Sequence, residues 1–235
     1  MITNTNETKL PKEIEEMFTA GAHFGFSKSR RHPSFKSVIY GQKNNTEILN
    51  LEKTEDYLKK ALQFVTNYGS DKKTILFVGG KSEAKDIIKR GAESIGAPYV
   101  AGRWIGGTIT NFEQIKKRIV RLEDLISKRD KGELSKYTKK ERLNFDKEIE
   151  NLLRFFGGIR NLNKIPDALF VVDSKKEHIA ITEATKFKIP VVALLSSDCD
   201  LRAISYPIPA NDASRSSIEY FVNKITDAYK NAPVK

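Results

Sequence analysis

Cysteine is nearly absent from the sequence: among 235 residues only Cys199 carries a thiol. One thiol forms no disulfide within a chain, so the count fits a reducing compartment such as the cytoplasm. It also excludes a cysteine-based zinc site. The three histidines, His23, His32 and His178, stand outside the H-E-x-x-H spacing of zinc enzymes. The sequence therefore predicts no metal site of these kinds.

Long apolar runs are missing as well. No stretch approaches the ~18 apolar residues that a membrane-spanning helix needs. The start of the chain lacks the basic residues and the apolar run of a signal peptide. We therefore expect no membrane partner. The first ten residues are polar, and we expect them to be frayed.

Acidic residues are too few to balance the basic ones. The chain has 41 Lys and Arg against 30 Asp and Glu, which gives a formal net charge of +11. A protein this basic usually binds a polyanion such as RNA. The alternative is that the excess charge keeps the protein in solution and has no partner.

The sequence motifs of nucleotide-binding loops are also missing. An apolar run at 74–78 is followed by Gly79-Gly80-Lys81-Ser82, which lacks the third glycine of a dinucleotide loop and the first half of a Walker loop. We interpret the glycines as a tight strand-to-helix turn. Lys81, beside a helix N-terminus, is a candidate to hold an RNA phosphate. No serine stands in a G-x-S-x-G context.

These absences predict a chain with no catalytic residues, no cofactor and no small-molecule substrate. Two rival hypotheses stay open at this point. One is a nucleotide-dependent enzyme built on a doubly wound sheet. The other is a protein-docking scaffold whose positive charge is incidental.

Apolar patterning predicts an α/β fold. Strands are predicted at residues 38–40, 48–51, 74–78, 98–100, 168–172 and 191–195. Helices are predicted from Pro11, from Thr54 as N-cap, from Ser82, over 177–187 and over 213–229. Strands that alternate with helices indicate a parallel sheet with helices on both faces.

One segment breaks this alternation. Two stretches carry apolar residues three and four positions apart, as in a coiled coil: Phe112, Ile115, Ile119, Leu122 and Ile126, then Phe145, Ile149, Leu152 and Phe156. A polar link with Gly132 separates them, so we predict an antiparallel helical hairpin. The predicted domains are an α/β RNA-binding domain of residues 1–111 and 157–235 and a hairpin insertion of residues 112–156. The alternative is two ordinary surface helices packed on the sheet.

A basic loop is the first candidate RNA-binding element. Residues 21–46 contain no Asp or Glu. Within them the candidate RNA-binding residues are Lys28, Arg30, Arg31, His32 and Lys36. Cations and hydroxyl groups bind phosphates, and exposed bases stack on rings such as those of His32 and Phe35.

The second candidate element is Gly102-Arg103-Trp104-Ile105-Gly106-Gly107, which contains the only tryptophan. Arg103 is suited to bidentate pairing with a phosphate, and glycines let a backbone approach a partner closely. Both Arg103 and Trp104 are therefore candidate RNA-binding residues. The alternative for Trp104 is a ring packed inside a turn that precedes a helix capped by Asn111.

Two features near the C-terminus have less specific interpretations. Asp198, Cys199, Asp200 and Asp212 are candidates to approach one another past a strand end, around a hard cation, although solvated loop carboxylates are the commoner case. Residues 206–212 contain two prolines and are predicted to form a stiff loop before the last helix.

Taken together, these strings resemble the bacterial small-subunit ribosomal protein two family. The matching stretches, in family order, are residues 20–25, 50–54, 77–81, 102–112, 156–159, 166–173, 176–180, 188–193 and 206–209. The stretch GRWIGGTITNF at 102–112 is the most specific of them. The resemblance extends from about residue 10 to residue 222, which is nearly the whole chain.

The resemblance implies a Rossmann-like α/β fold with an inserted antiparallel coiled-coil hairpin. It also implies a structural constituent of the small ribosomal subunit that lies between head and body, binds small-subunit ribosomal RNA and supports translation. The implied partners are that RNA and neighbouring small-subunit ribosomal proteins, including ribosomal protein one. Members of the family are not enzymes.

The sequence departs from the family at a few positions. Phe26 stands where a second histidine is usual, and Ser196 stands where an aspartate is usual. These changes weaken the case for a ligand role near residue 26 and for a cation near Asp200 and Asp212. Further changes fall within residues 205–213, so altered contacts are expected in that loop.

Overall fold

A sheet of parallel strands forms the centre of the protein in a computed structural model that describes residues 11–233. The first ten residues, which we expect to be frayed, lie outside the described part of the chain. The strands are β1 (Ile39–Lys43), β2 (Thr46–Leu49), β3 (Ile75–Val78), β4 (Tyr99–Val100), β5 (Ala168–Val172), β6 (Val191–Leu195) and β7 (Tyr206–Pro209). The α-helices are α1 (Lys12–Thr19), α2 (Leu51–Ser70), α3 (Ser82–Ser94), α4 (Phe112–Asp130), α5 (Lys139–Phe156), α6 (His178–Lys186) and α7 (Arg215–Lys230). None of these helices combines the length and the apolar character that a bilayer span requires.

The sheet has the strand order β4-β3-β5-β6-β7, with every pair parallel. Strands β3, β5 and β6 are buried along their whole length, as expected for apolar strands covered on both faces. Helices α1, α2, α3 and α7 pack on one face, and α4, α5 and α6 contribute to the other. Strands β1 and β2 form a separate antiparallel pair. The predicted Rossmann-like α/β fold is confirmed.

The prediction of Thr54 as the N-cap of α2 is wrong. The helix begins at Leu51, and the cap is Asn50, whose Oδ1 accepts the backbone N–H of Glu52 at 2.9 Å. Thr54 is buried within the first turn, where its hydroxyl donates to the carbonyl oxygen of Pro209 at 2.6 Å. Asn and Thr are both good cap residues, so the choice between them depended on this tertiary contact.

The prediction of a stiff loop at residues 206–212 is wrong over its first half. Residues 206–209 form β7, which pairs with β6 and is the edge strand of the sheet. Pro207 and Pro209 have no backbone N–H, but an edge strand needs donors on one side only. The two prolines therefore fit a position that a central strand would not offer.

The helices α4 and α5 pack against each other and on the sheet. Near the sheet, Ile115, Ile119 and Phe156 belong to the core beneath one sheet face. Farther out, Leu122, Leu125 and Ile149 form a separate small cluster, with Ile126, Phe145 and Leu152 packed against it. The seam residues thus divide between two cores, so part of the segment packs as ordinary surface helices do. A coiled coil stays a prediction.

Gly158 lies where the chain returns from α5 to the sheet. A Cβ atom at this position would lie 2.3 Å from the carbonyl oxygen of Tyr99, whereas a Cβ at Gly157 would meet only a Leu153 methyl group at 3.9 Å. Gly157 also has helical dihedral angles (φ −54°, ψ −41°). We expect Gly158→Ala to lower the free energy of unfolding by about 1–3 kcal/mol, because the β4 backbone must move. The matched variant Gly157→Ala should be neutral or stabilising by up to about 1 kcal/mol. Urea unfolding of both measures the difference, and equal stabilities would contradict the close approach.

Candidate nucleic-acid interface

The elements that carry the predicted RNA-binding residues gather at the carboxyl edge of the sheet. Because the five strands are parallel, the segments that follow them leave from one edge. Lys81 follows β3 and Arg103 follows β4. The basic loop (residues 28–36) packs against the segment after β6, where the backbone N–H of His32 donates to the carbonyl oxygen of Ser197 at 2.8 Å. The fold therefore brings together elements that are more than 150 residues apart in sequence, as His32 and Ser197 are.

Exposure divides the cations of the basic loop into two groups. Lys28, Arg30 and Lys36 are exposed. Arg31 is partly buried and pairs with the buried carboxylate of Glu47 at 2.9 Å. Lys28 and Lys36 have no ion-pair partner within the described residues and are therefore free to bind phosphate, while Arg31 neutralises a buried acid.

Two further acids approach the basic loop from the segment after β6. Asp198 accepts a hydrogen bond from Arg30 at 3.2 Å, and Asp200 lies 3.6 Å from Nδ1 of His32. The backbone N–H of Arg202 lowers the pKa of Asp200, so this carboxylate stays ionised beside the imidazole. Residues 21–46 thus contain no acid in sequence, but the fold brings Glu47, Asp198 and Asp200 into contact with them. The signal missed was Glu47, one position beyond the acid-free stretch.

The rings of the basic loop are less available than predicted. Phe35 is fully buried, so the expectation that a base stacks on it is wrong. His32 is partly buried, and its Nδ1 lies 2.8 Å from the hydroxyl of Ser34. Two exposed rings flank the loop in sequence, Phe24, which is 46% exposed, and Tyr40 on β1, which is 79% exposed. The alternation of an inward Ile39 with an outward Tyr40 along a strand is the signal that identifies Tyr40.

Glu183 on α6 organises the loop that contains Trp104. Its carboxylate accepts the indole N–H of Trp104 at 3.2 Å and the backbone N–H groups of Gly107, Ile109 and Thr110 at 2.7, 2.9 and 3.0 Å. The Thr110 hydroxyl donates as well, at 3.2 Å. The burial of Glu183 acts to raise its pKa, but these donors outweigh burial, and the pKa is lowered. The carboxylate is therefore ionised at neutral pH and fixes the loop.

Trp104 and Arg103 take opposite positions in this loop. The ring of Trp104 is 4% exposed and packs in the core beneath the sheet, whereas the neighbouring Arg103 is exposed. A buried ring offers no free face for a base. The loop therefore combines the two interpretations open from sequence, a packed tryptophan and an accessible arginine.

Lys81 is held in a buried ion-pair cluster. Its Nζ lies 2.8 Å from Oδ2 of Asp173 and 2.9 Å from Oδ1 of Asp212. The Asp212 contact is an ion pair without hydrogen-bond geometry, since neither carboxylate oxygen of this fully buried residue has a hydrogen-bond partner within the described chain. Burial acts to lower the pKa of Lys81, but the charges of Asp212 and Asp173 outweigh it and raise the pKa.

The same cluster bears on the question of a cation near Asp212. Ligand atoms of Asp173, Cys199 and Asp212 lie within 4.8 Å of one another. Burial raises the pKa of Asp212 to about 6 and that of the Cys199 thiol to about 12. A protonated thiol is a poor metal ligand, and the ammonium of Lys81 already supplies the positive charge. Of the residues that the sequence placed together, Cys199 and Asp212 belong to this group, whereas Asp198 and Asp200 lie outside it.

Comparisons with known proteins agree on one family. Residues 17–232 match the family described as ribosomal protein S2. Similar proteins named small ribosomal subunit protein uS2 include that of Coprothermobacter proteolyticus, which is 41% identical over 92% of this chain and 80% of its own length. That of Helicobacter hepaticus is 40% identical over 92% of this chain and 81% of its own. That of Sulfurimonas denitrificans is 41% identical over 92% of this chain and 83% of its own length.

Replacing Glu183 with alanine tests its hold on the loop. We expect Glu183→Ala to lower the free energy of unfolding by roughly 3 kcal/mol or more, because buried donors lose their acceptor. The matched variant Glu150→Ala removes an exposed carboxylate of α5 and should stay within ~0.5 kcal/mol. Since Trp104 is the only tryptophan, its fluorescence should shift to the red in the first variant alone. An unshifted emission maximum would show that the loop does not need Glu183.

The same variant has a predicted pH dependence. The folded protein holds the pKa of Glu183 below its ordinary value, so the unfolded state binds more protons as the medium turns acid. The stabilisation by Glu183 is therefore complete above the ordinary glutamate pKa and is lost as the pH falls through the lowered folded pKa. Urea unfolding across this range should show the gap between the native protein and Glu183→Ala narrowing in acid. A gap independent of pH would contradict the pKa shift.

A double-mutant cycle tests the cluster around Lys81. Lys81→Met should cost about 3–5 kcal/mol of unfolding free energy, because it leaves buried carboxylates uncompensated. Asp212→Asn added to Lys81→Met should recover part of that loss. The control Lys89→Met, which changes an exposed lysine of α3, should be nearly neutral. Strictly additive effects of Lys81→Met and Asp212→Asn would show that the two groups do not interact.

Proposed function

This chain belongs to the ribosomal protein S2 family, and we propose that it is a structural constituent of the small ribosomal subunit that binds small-subunit ribosomal RNA. It supports translation by holding folded RNA in place and catalyses no reaction. Its place in the subunit is between head and body, and its partners include neighbouring ribosomal proteins, among them ribosomal protein one. It acts in the ribosome without a cofactor or a small-molecule substrate.

One observation carries the RNA-binding part of this proposal. The exposed cations Lys28, Arg30, Lys36 and Arg103 stand on elements at one edge of a rigid sheet. Phosphate groups dominate the affinity of proteins for RNA and are bound by cations that solvent reaches. Exposed cations on loops that the fold anchors at one edge suit a folded RNA, whose phosphates also have fixed positions.

The other predicted RNA-binding residues take supporting roles in this proposal. Arg31, Lys81 and Trp104 each have a buried partner, namely Glu47, Asp212 and Glu183. They therefore hold the loops from which the exposed cations project. His32 is partly exposed beside Asp200 and adds a contact at the edge of the same surface.

We also propose that the domain organisation follows the sequence pattern. Residues 1–111 and 157–235 form the α/β RNA-binding domain, and residues 112–156 form the inserted hairpin. In support, Leu122, Leu125 and Ile149 pair the two hairpin helices in a cluster of their own. The hairpin thereby offers a second surface, suited to neighbouring proteins of the subunit.

Charge reversal in the basic loop tests the RNA-binding proposal. We expect Lys28→Glu/Lys36→Glu to weaken binding to small-subunit ribosomal RNA at least tenfold in low salt and to flatten its salt dependence. Neither lysine has an ion-pair partner within the described chain, so the fold should be unaffected. Arg31 is left in place because its partner Glu47 is buried. Titration of labelled RNA at several salt concentrations gives both quantities.

The matched control is Lys89→Glu/Lys186→Glu, which makes the same change of net charge on α3 and α6, outside the proposed surface. Its RNA affinity should fall much less. If the two double variants lost RNA affinity equally, the effect would come from net charge alone and the basic loop would not be a specific binding site. Native protein that stays free of small subunits in gently lysed cells would overturn the whole proposal.

A further inference from the structure

The sheet contains a crossover point that the proposed function does not yet use. From β3 the chain passes through α3 to β4 on one side, whereas from β5 it passes through α6 to β6 on the other. Where neighbouring strands send their connections in opposite directions, a crevice opens at the carboxyl edge, and α/β proteins bind ligands there. In this protein the crevice lies between the ends of β3 and β5.

A pocket occupies this crevice. It has a volume of about 290 Å³, which is at the lower limit of the ~300–1,000 Å³ found for drug-sized ligands. We call it the crossover pocket; its lining residues are Gly80, Lys85, Gly102, Arg103, Lys176 and Glu177, with Trp104 and Ile179. A phosphate group with the sugar attached to it fits within this volume.

The charges around the crossover pocket favour an anion. Lys85, Arg103 and Lys176 are exposed, and none of them forms an ion pair with another residue of the described range 11–233. Other cations of the same edge, such as Arg31 and Lys81, are paired with buried acids. The three pocket cations are therefore available to a ligand.

The single acid of the pocket lining, Glu177, already accepts a hydrogen bond from the protein backbone. Glu177 is buried, and its Oε1 accepts the backbone N–H of Gly80 at 3.0 Å. Three cations against one carboxylate leave the pocket with an excess of positive charge. The bond to Gly80 also joins the ends of β3 and β5 across the crevice.

The walls of the pocket are closely fitted. A Cβ atom at Gly80 would lie 2.5 Å from Oε1 of Glu177 and 2.7 Å from the carbonyl oxygen of Gly102. The adjoining loop is fixed by Glu183 through Trp104. A pocket with fixed walls loses little entropy when it orders a ligand.

We propose that the crossover pocket binds a phosphate group of the RNA backbone, with Lys85, Arg103 and Lys176 as the binding residues. The proposal rests on the proposed function, since it adds a defined phosphate site to the RNA-binding surface. A free nucleotide offers the same phosphate chemistry, and the experiments below distinguish it from RNA. Lys85 and Lys176 thereby extend the surface from the basic loop across the crevice.

The test removes the two lysines and keeps Arg103. We expect Lys85→Gln/Lys176→Gln to reduce the slope of log affinity against log salt for small-subunit ribosomal RNA by about one per lysine. The matched control Lys89→Gln/Lys186→Gln, with the same loss of charge, should leave the slope unchanged. In the RNA complex of the native protein, an amine-reactive reagent should spare Lys85 and Lys176 and still label Lys89 and Lys186.

A second arm tests the free nucleotide as the source of the phosphate. Trp104 lines the pocket and is the only tryptophan, so its fluorescence reports on occupancy. AMP added to the protein without RNA should leave this signal no more changed than adenosine does. A saturable response to AMP, with an unaltered RNA slope in the double variant, would overturn the RNA source.

Two further outcomes distinguish a failure of the pocket proposal from a failure of the proposed function. If the native protein binds RNA while the double variant keeps the full salt slope and Lys85 and Lys176 stay reactive in the complex, the pocket proposal is wrong. RNA binding through the basic loop would then still stand. If the native protein fails to bind RNA at all, it is the proposed function that fails.

Discussion

The carboxylate of Glu183 is the group on which the arrangement of the candidate surface depends. Burying a charged group is costly unless hydrogen bonds replace its water. Here five donors from Trp104, Gly107, Ile109 and Thr110 replace it. The loop is irregular, and without this acceptor its backbone N–H groups would have no partner in the interior. One side chain on α6 therefore decides where Arg103 stands.

The same rule applies along the rest of the carboxyl edge. Glu47 fixes Arg31, Asp212 and Asp173 fix Lys81, and Glu177 fixes the backbone at Gly80. In each case the acid is buried and its partner belongs to an edge segment or to the loop beside it. These four buried acids thus stabilise loops, and cations without a protein partner, such as Lys28, Lys36 and Arg103, lie outside, where they attract phosphate. This arrangement adds to the positive charge that the chain already has from 41 Lys and Arg against 30 Asp and Glu.

Sequence reasoning succeeded where burial alone decides structure. The strands at 168–172 and 191–195 match their predicted bounds, because an apolar run with flanking turns has few other places in an α/β fold. Sequence reasoning failed where a residue distant in sequence determines the local structure. From sequence, Thr54 and Asn50 are equally good candidates for the N-cap of α2. The hydrogen bond from the Thr54 hydroxyl to the β7 backbone distinguishes them. Glu183 is separated from Trp104 by 79 positions, and only its place beside Ala184 on the buried side of α6 marks it.

The occupied Gly80 N–H explains why a crossover crevice in this fold need not indicate a nucleotide enzyme. Phosphate-binding loops offer backbone N–H groups at the end of the first strand. In this chain Glu177 takes the donor of Gly80, and the carbonyl oxygen of Gly102 closes the space beside it. A phosphate must then be bound at the rim, by side chains that reach into solvent. Rim contacts suit a backbone phosphate of a large folded RNA, which cannot enter a deep pocket but can present one group to its mouth.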